Sequence, residues 1–200
     1  GGLVEETTTE KIGNTVRIVI GTKDYRKDIT VNLVDSNFLG ANTVTITMPV
    51  EIISKSNSGD ITILGKDFTL KFNPKAFYTS KVRQYEDKDN TGVRFEITYG
   101  TESTGFGNRT LLSGQLLMKA GLYVGSDTFD LDYLNDSMQF GVDFDRAKAN
   151  LRKITNIALY RYDDAKGDWT SIYERYSGPD VSVKTTINRL GKYAVFGTRG

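Results

Sequence analysis

The sequence predicts an all-β fold, an antiparallel β-sandwich, from three observations. Apolar and polar residues alternate with a period of two over most of the chain, and the apolar positions are rich in valine, isoleucine and aromatic residues. These short segments recur at the spacing of a sandwich, without the intervening helices of an α/β protein. At 200 residues the chain is long enough to bury a substantial core.

Strands are predicted wherever this alternation persists. In order they are TVRIVI (15–20), DITVNLVD (28–35), NTVTITMP (42–49), DITILG (60–65), FTLKF (68–72), VRFEITY (93–99), TLLSGQLLMKA (110–120), MQFGVDF (138–144), NIALYRYD (156–163), DWTSIYERY (168–176), VSVKTTI (181–187) and KYAVFG (192–197).

Two segments are predicted to be short connector helices. PVEIISKS (49–56) begins with a proline that suits a first helical turn, and DRAKANLRK (145–153) begins with an aspartate that can cap a helix. The polar, glycine-bearing stretches 78–92 and 100–110 are predicted to be loops.

We expect one β-sandwich region over residues 1–200, in which 1–11 form a polar lead-in or tag remnant. An alternative is two packed lobes, 1–85 and 86–200, divided near the loop at 78–92. No apolar run approaches the roughly 18 residues that a membrane-spanning helix needs, so we expect no membrane insertion within this chain.

Composition excludes several classes of function. Lysine and arginine total 26 against 25 acidic residues, so there is no net field to attract nucleic acid, which is not an expected partner. The absence of cysteine and histidine removes thiolate chemistry, the usual zinc ligands and the commonest general base. We therefore assign no catalytic residue and expect a protein that is not an enzyme. Tyr193, which has no histidine or cysteine as a catalytic companion, is expected to be a packing residue whose hydroxyl bonds to the backbone. A hydrolase with two carboxylates would need a cleft and a fixed separation that the sequence does not reveal.

The segment DKDNTG (87–92) is a candidate calcium loop. It places Asp87 and Asp89 at alternate positions ahead of Gly92, and such carboxylates can converge on one hard cation. The position for the bidentate glutamate is occupied by Thr98, so the second half of the pattern is missing. A second acidic group could also hold calcium: Asp127, Asp130, Asp132 and Asp136. For both groups, solvated turns and strand edges are the simpler interpretation, and apart from calcium no cofactor is expected.

Aromatic residues gather near the carboxyl end of the chain. Alternation places Tyr160 and Tyr162 on one face of a strand, and Trp169 and Tyr173 on one face of the next, so the two rows can lie opposite one another. If several of these rings were exposed and coplanar they would form a stacking platform for sugars. Packing within a core explains the same pattern.

The pattern over residues 140–197 resembles the closing half of β-sandwich modules in surface proteins of Gram-positive bacteria, often close to S-layer homology repeats. The matching elements are the strand 140–144, the stretch from Tyr160 to Trp169 with its turn, the strand 181–187, and Tyr193-Ala194-Val195. The stretch 44–77, with its proline, short helix, hairpin and Asn73-Pro74, resembles their opening half. The related modules carry a histidine, phenylalanine, serine turn where this chain has residues 188–191, and that loss argues against a catalytic role for the turn.

The resemblance implies a non-catalytic structural or adhesive module of a secreted, extracellular protein associated with the cell surface or S-layer. Its expected partners are cell-wall or extracellular polysaccharide, or other surface proteins. The alternative is a carbohydrate-binding module that uses exposed aromatic residues around Trp169.

Overall fold

The protein is an all-β sandwich with short connecting helices, as predicted. The computed structural model describes residues 3–100, 107–172 and 181–199. Its strands are β1 (Thr8–Ile12), β2 (Thr15–Val19), β3 (Ile29–Asn32), β4 (Thr43–Pro49), β5 (Ile61–Leu64), β6 (Phe68–Phe72), β7 (Thr91–Tyr99), β8 (Thr110–Leu111), β9 (Leu116–Val124), β10 (Asp127–Leu131), β11 (Tyr133–Asp143), β12 (Asn156–Asp163), β13 (Asp168–Ser171), β14 (Ser182–Arg189) and β15 (Gly191–Thr198).

The helices are short and lie between strands. They are α1 (Val50–Ile53), α2 (Ser80–Gln84) and α3 (Arg146–Leu151), with 3₁₀ turns at Ser36–Phe38 and Pro74–Phe77. The Asp145 carboxylate accepts a hydrogen bond from the Lys148 N–H and so caps α3, as the sequence predicts. Within the described residues, no helix is long and apolar enough to cross a membrane.

Two sheets form the layers of the sandwich. The larger has the order β1-β2-β4-β7-β9-β15-β12-β13, with β10 also paired to β9 and β8 to β15. The smaller has the order β14-β11-β6-β5-β3. Strands from residues 1–85 and from 86–200 share both sheets, because β4 pairs with β7 and β6 pairs with β11.

Two strand pairs depart from the antiparallel arrangement of the predicted sandwich, so both sheets are mixed. β2 is parallel to β4, and β3 is parallel to β5. These four strands alternate between the two sheets along the chain, so each returns to its own sheet after crossing to the other one. Side chains alternate between the two faces of a sheet in the same way whether neighbouring strands are parallel or antiparallel. The sequence pattern therefore did not reveal the parallel pairs.

One large cluster of buried apolar side chains joins the two sheets. Phe72 of β6 meets Phe95 of β7 edge-on, with ring centroids 5.4 Å apart. Phe140 of β11 meets Tyr193 of β15 in the same way at 5.5 Å. In strands predicted from the sequence, such as β6 and β7, the residues that enter this cluster are those that alternation places inward.

Several elements lie where the sequence predicted none. β1 overlaps the expected lead-in 1–11, and its five residues are all exposed, so no apolar alternation marks it. β10 and the first half of β11 were also missed, and their residues are mostly exposed. Helix α2 lies within the loop predicted at 78–92, where the Thr79 hydroxyl accepts a hydrogen bond from the Val82 N–H.

The strand predicted at 110–120 is broken into β8 and β9. Ser113 and Gly114 interrupt it, and the Ser113 hydroxyl donates to the Gly114 carbonyl at 2.7 Å. A side chain at Gly114 would meet the ring of Tyr99 at 2.6 Å, so only glycine allows the chain to pass here. Of the strand predicted at 168–176, residues 168–171 form β13, whereas residues 173–176 lie outside the described ranges.

Candidate functional site

The predicted aromatic rows meet on the outer face of the larger sheet. Tyr162 of β12 lies opposite Trp169 of β13, and Tyr160 lies opposite Ser171. On the other side of β12, Tyr160 lies opposite Ala194 of β15. The cross-strand pairing expected from alternation is therefore confirmed for these residues, whereas Tyr173 lies outside the described ranges.

These rings pack on one another as a small second core, which we call the Trp169 cluster: Trp169, Ala194 and Phe196, flanked by Leu111, Tyr160 and Tyr162. Trp169 is only 3% exposed. The plane of its ring makes an angle of 80° with that of Tyr162, and the Tyr160 and Phe196 rings make an angle of 88°. These pairs of rings are thus nearly perpendicular, so Tyr160, Tyr162 and Trp169 pack as in a core and do not form the flat platform that was the alternative interpretation of the sequence.

Two cations lie at the margin of the Trp169 cluster. The Arg109 guanidinium donates to the Asp168 carboxylate at 3.1 and 3.3 Å and lies 5.3 Å from the Tyr160 ring centroid. This hydrogen bond lowers the pKa of Asp168 below its ordinary value. The Lys192 ammonium lies 4.9 Å from the Tyr162 ring centroid. Sequence reasoning did not single out Arg109, which lies in a polar stretch predicted to be a loop.

The calcium candidates lie in the turn between α2 and β7. Asp89 contributes to a shallow pocket of about 480 Å³ together with Glu51, Thr91 and Tyr123. In the part of the chain that the structure describes, no group of three or more acidic residues is placed to hold a metal ion. Binding of calcium by Asp87 and Asp89 stays a prediction.

A pocket of about 400 Å³ lies where the ends of β7, β8 and β11 meet α3. We call it the Asp67 pocket; its polar lining is Asp67, Tyr99, Ser113, Asp143, Asp145 and Lys148. The Tyr99 hydroxyl donates to the Asp67 carboxylate at 3.2 Å, and the Ser182 hydroxyl donates to Asp143. Burial and the charge of Asp67 raise the pKa of Tyr99 to about 12.

The remaining polar groups of the Asp67 pocket are also bonded within the protein. The Lys148 ammonium donates to the Leu111 carbonyl at 2.8 Å, and the Ser113 hydroxyl accepts from the Val195 N–H at 2.8 Å. Asp145 is occupied by its capping bond to the Lys148 N–H at 2.9 Å. Every charged side chain that lines this pocket therefore has a partner in the chain itself.

The turn between β14 and β15 holds a buried tyrosine. Tyr193 is 2% exposed, and its hydroxyl donates to the Arg189 carbonyl. Burial raises the pKa of Tyr193 to about 12, although the positive charges of Arg161 and Arg189 oppose that rise. Tyr193 is thus a packing residue with a backbone partner, as the absence of histidine and cysteine suggests.

Gly191 shapes the same turn. Its φ of +142° favours glycine, and a Cβ there would lie 3.7 Å from the aliphatic part of Arg161. The neighbouring Leu190 N–H donates to the Asp132 carbonyl at 2.8 Å, so the turn is attached to the link between β10 and β11. A contact of 3.7 Å is ordinary van der Waals packing, so the requirement for glycine at this turn comes from the backbone angle and not from the space beside Arg161.

A groove of about 690 Å³ opens beside this turn, and we call it the fork groove. Its polar side chains are Lys119, Asp130, Asp132, Arg161, Tyr162, Asp164, Arg189 and Lys192. Sequence reasoning placed Tyr162 in the aromatic candidate site and Asp130 and Asp132 in a candidate calcium group, and it missed the other five. A signal was present, because Arg161 follows Ile157 and Leu159 on the inward face of β12, where an apolar residue is expected.

Comparison with known proteins does not assign this chain to a family. No protein-family model matches it, and no curated protein shows a significant match.

Proposed function

We propose that this protein is a non-catalytic, adhesive module of a secreted, cell-surface protein. Its partners would be extracellular or cell-wall polysaccharide, or other surface proteins. The observation that carries the proposal is the Asp67 pocket, which gathers three carboxylates, a lysine and a tyrosine and yet uses all of them in bonds within the protein.

The shifts in carboxylate pKa support the same conclusion. A general acid in a glycosidase needs a raised pKa, so that it is protonated when it meets its substrate. The pKa values of the Asp24 and Asp168 carboxylates are instead shifted downward. Although burial opposes ionisation of Asp24, hydrogen bonds from the Thr7 N–H and hydroxyl lower its pKa. Lowered values of this kind are typical of carboxylates that stabilise a fold.

Cosedimentation with purified Gram-positive cell walls tests the adhesive role. We expect the protein to sediment with intact cell walls. In one arm the wall polysaccharide is removed beforehand, and in the other arm the surface proteins are removed. Loss of retention in one arm identifies the class of partner. No retention in any arm would contradict adhesion.

The absence of turnover is tested separately with chromogenic glycosides. We expect no release of the chromophore above that of buffer. Release that disappears in Asp143→Asn and Asp67→Asn, both of which line the Asp67 pocket, would identify an active site there and overturn the proposal.

Carbohydrate binding is a second candidate, favoured by one observation. Tyr162 is only partly buried in the Trp169 cluster and also lines the fork groove. Retention on insoluble polysaccharide that is lost in Tyr162→Ala, with the fold intact, supports this function.

A further inference from the structure

The fork groove exists because β9 changes its neighbour. Over Leu116, Leu117 and Met118 it pairs with β15, and from Ala120 onward it pairs with β10. The change takes place at Lys119, and β10 and β15 diverge on that side of β9. The space between them is the groove, which the end of β12 and the turn before β15 also line.

Four cations line the fork groove without a carboxylate partner. They are Lys119, Arg161, Arg189 and Lys192, and in the described ranges no carboxylate oxygen lies within 4.0 Å of their nitrogens. Arg161 makes only a long contact of 3.4 Å to the Tyr162 carbonyl. The Arg189 guanidinium lies 4.7 Å from the Tyr133 ring centroid. Most of the donor capacity of both guanidinium groups is therefore available to a ligand.

Three carboxylates that line the same groove also have no ion-pair partner among the described residues. Asp130, Asp132 and Asp164 have no lysine or arginine nitrogen within 4.0 Å in the part of the chain described. The groove thus presents donors and acceptors that the protein does not pair with each other. In the Asp67 pocket, by contrast, similar groups are bonded internally.

The mixture of charges selects the class of ligand. A chain of phosphates would be attracted by the arginines but repelled by the three carboxylates. A sugar hydroxyl both donates and accepts hydrogen bonds, so a saccharide can use the two kinds of group together. The Tyr162 ring adds an apolar wall suited to the C–H face of a sugar ring. The volume of about 690 Å³ lies within the range of small-ligand pockets, about 300–1,000 Å³.

We propose that the fork groove binds a short stretch of a saccharide chain. Tyr162 is the stacking wall, Arg161 and Arg189 are donors, and Asp130, Asp132 and Asp164 are acceptors. The inference deepens the proposed adhesive function and rests on it for the biological source of the saccharide.

Calorimetric titration of the purified protein tests this site with three probes. These are the uncharged saccharides cellohexaose and chitohexaose, and inorganic polyphosphate as a control for charge alone. We expect at least one hexasaccharide to bind, and Tyr162→Ala and Arg161→Gln each to weaken that binding at least tenfold. Arg17→Gln, a substitution of an arginine on β2 remote from the groove lining, is expected to leave affinity unchanged. Circular dichroism checks that each variant is folded.

Amide chemical-shift mapping on the wild-type protein gives a second measurement that does not depend on variants. The saccharide is expected to shift the amides of Tyr162, Asp164 and Lys192 more than those of the Asp67 pocket. The proposal is overturned if no hexasaccharide binds, if only polyphosphate binds, or if shifts and variant effects lie away from the groove. Wall retention that persists in Arg161→Gln would keep the adhesive function and reject the groove as its site.

Discussion

In the Asp67 pocket each charged side chain is bonded to an atom of the protein, whereas in the fork groove seven charged side chains have no ion-pair partner in the described residues. Both sites contain three aspartates, lysine and a tyrosine, and the fork groove also contains two arginines. The main difference between them is whether these groups are bonded within the protein.

The difference separates residues that stabilise the fold from residues available to a ligand. Arg161, Arg189 and Lys192 are part-buried, whereas the other four charged side chains of the groove are exposed. A part-buried charged group without an ion-pair partner loses hydration without full compensation, so these three cations are more readily explained by a ligand than by stability. The predictions that follow test this distinction from the largest expected effect to the smallest.

Gly191→Ala is expected to cost the most, because the turn beside the fork groove depends on the backbone at this residue. Its φ of +142° lies where residues with a Cβ are strained, and the expected loss of unfolding free energy is roughly 1–3 kcal/mol. Chemical denaturation measures it. The control is Lys166→Ala, which lies in an exposed turn. Gly59→Ala would not serve as a control, because a Cβ there would lie 2.2 Å from the Lys27 carbonyl oxygen. Equal stability of Gly191→Ala and wild type would show that the turn adapts.

Alkaline pH is expected to destabilise the protein through Tyr193. The folded state holds the phenolic proton up to a pKa of about 12, whereas the unfolded chain releases it near about 10. The contribution of Tyr193 to the free energy of unfolding is therefore fully present below about pH 10. It falls by about 2 kcal/mol as the pH rises to about 12.

The variants Tyr193→Phe and Tyr133→Phe isolate this effect. Tyr133 is 62% exposed, so its variant is expected to follow the wild-type alkaline slope, while Tyr193→Phe flattens it. Urea denaturation from pH 9 to 12 provides the measurement. Identical slopes for all three proteins would assign the alkaline loss to other groups, Tyr99 of the Asp67 pocket first among them.

A pair of lysine substitutions compares the two sites directly. Lys148→Met removes the donor to the Leu111 carbonyl in the Asp67 pocket and is expected to cost about 1.5 kcal/mol. Lys192→Met in the fork groove loses only its contact with aromatic rings and is expected to change stability by about 0.5 kcal/mol. Both are measured by chemical denaturation. A larger cost for Lys192→Met would place the groove among the structural sites.

Chelation is expected to have the smallest effect. The turn with Asp87 and Asp89 belongs to neither site, and no acidic cluster in the described ranges is placed to hold a metal. We expect EDTA to leave the melting temperature unchanged. A fall in melting temperature that added calcium reverses would instead make this turn a metal site that stabilises the fold.

Much of the sandwich was predictable from alternation, as β6 and β12 illustrate, because each strand matches its predicted bounds. β1 was not predictable, since all of its residues are exposed and its pairing with β2 comes from the hairpin turn at Gly13. The predicted aromatic rows lie opposite each other. Their perpendicular packing was not predictable, because Trp169 also packs against Phe196, which belongs to another strand.

The fork groove marks the limit of sequence reasoning for the site. Arg161 and Asp132 are separated along the chain, and nothing local indicates that they line one groove. Even the inward position of Arg161 could not show whether an acid from another strand would pair with it. That outcome depends on which strands are neighbours.

By itself the sequence determined the class of fold, the inward face of each apolar strand, the packing role of Tyr193 and the absence of thiol and imidazole chemistry. These follow from side-chain alternation and residue type, which are local properties. Only the tertiary structure decided the parallel pairs, the change of neighbour along β9, and which charged residues are bonded and which line an open groove. Those features depend on contacts between distant strands, and the same alternating pattern is compatible with many orders of strands in a sheet.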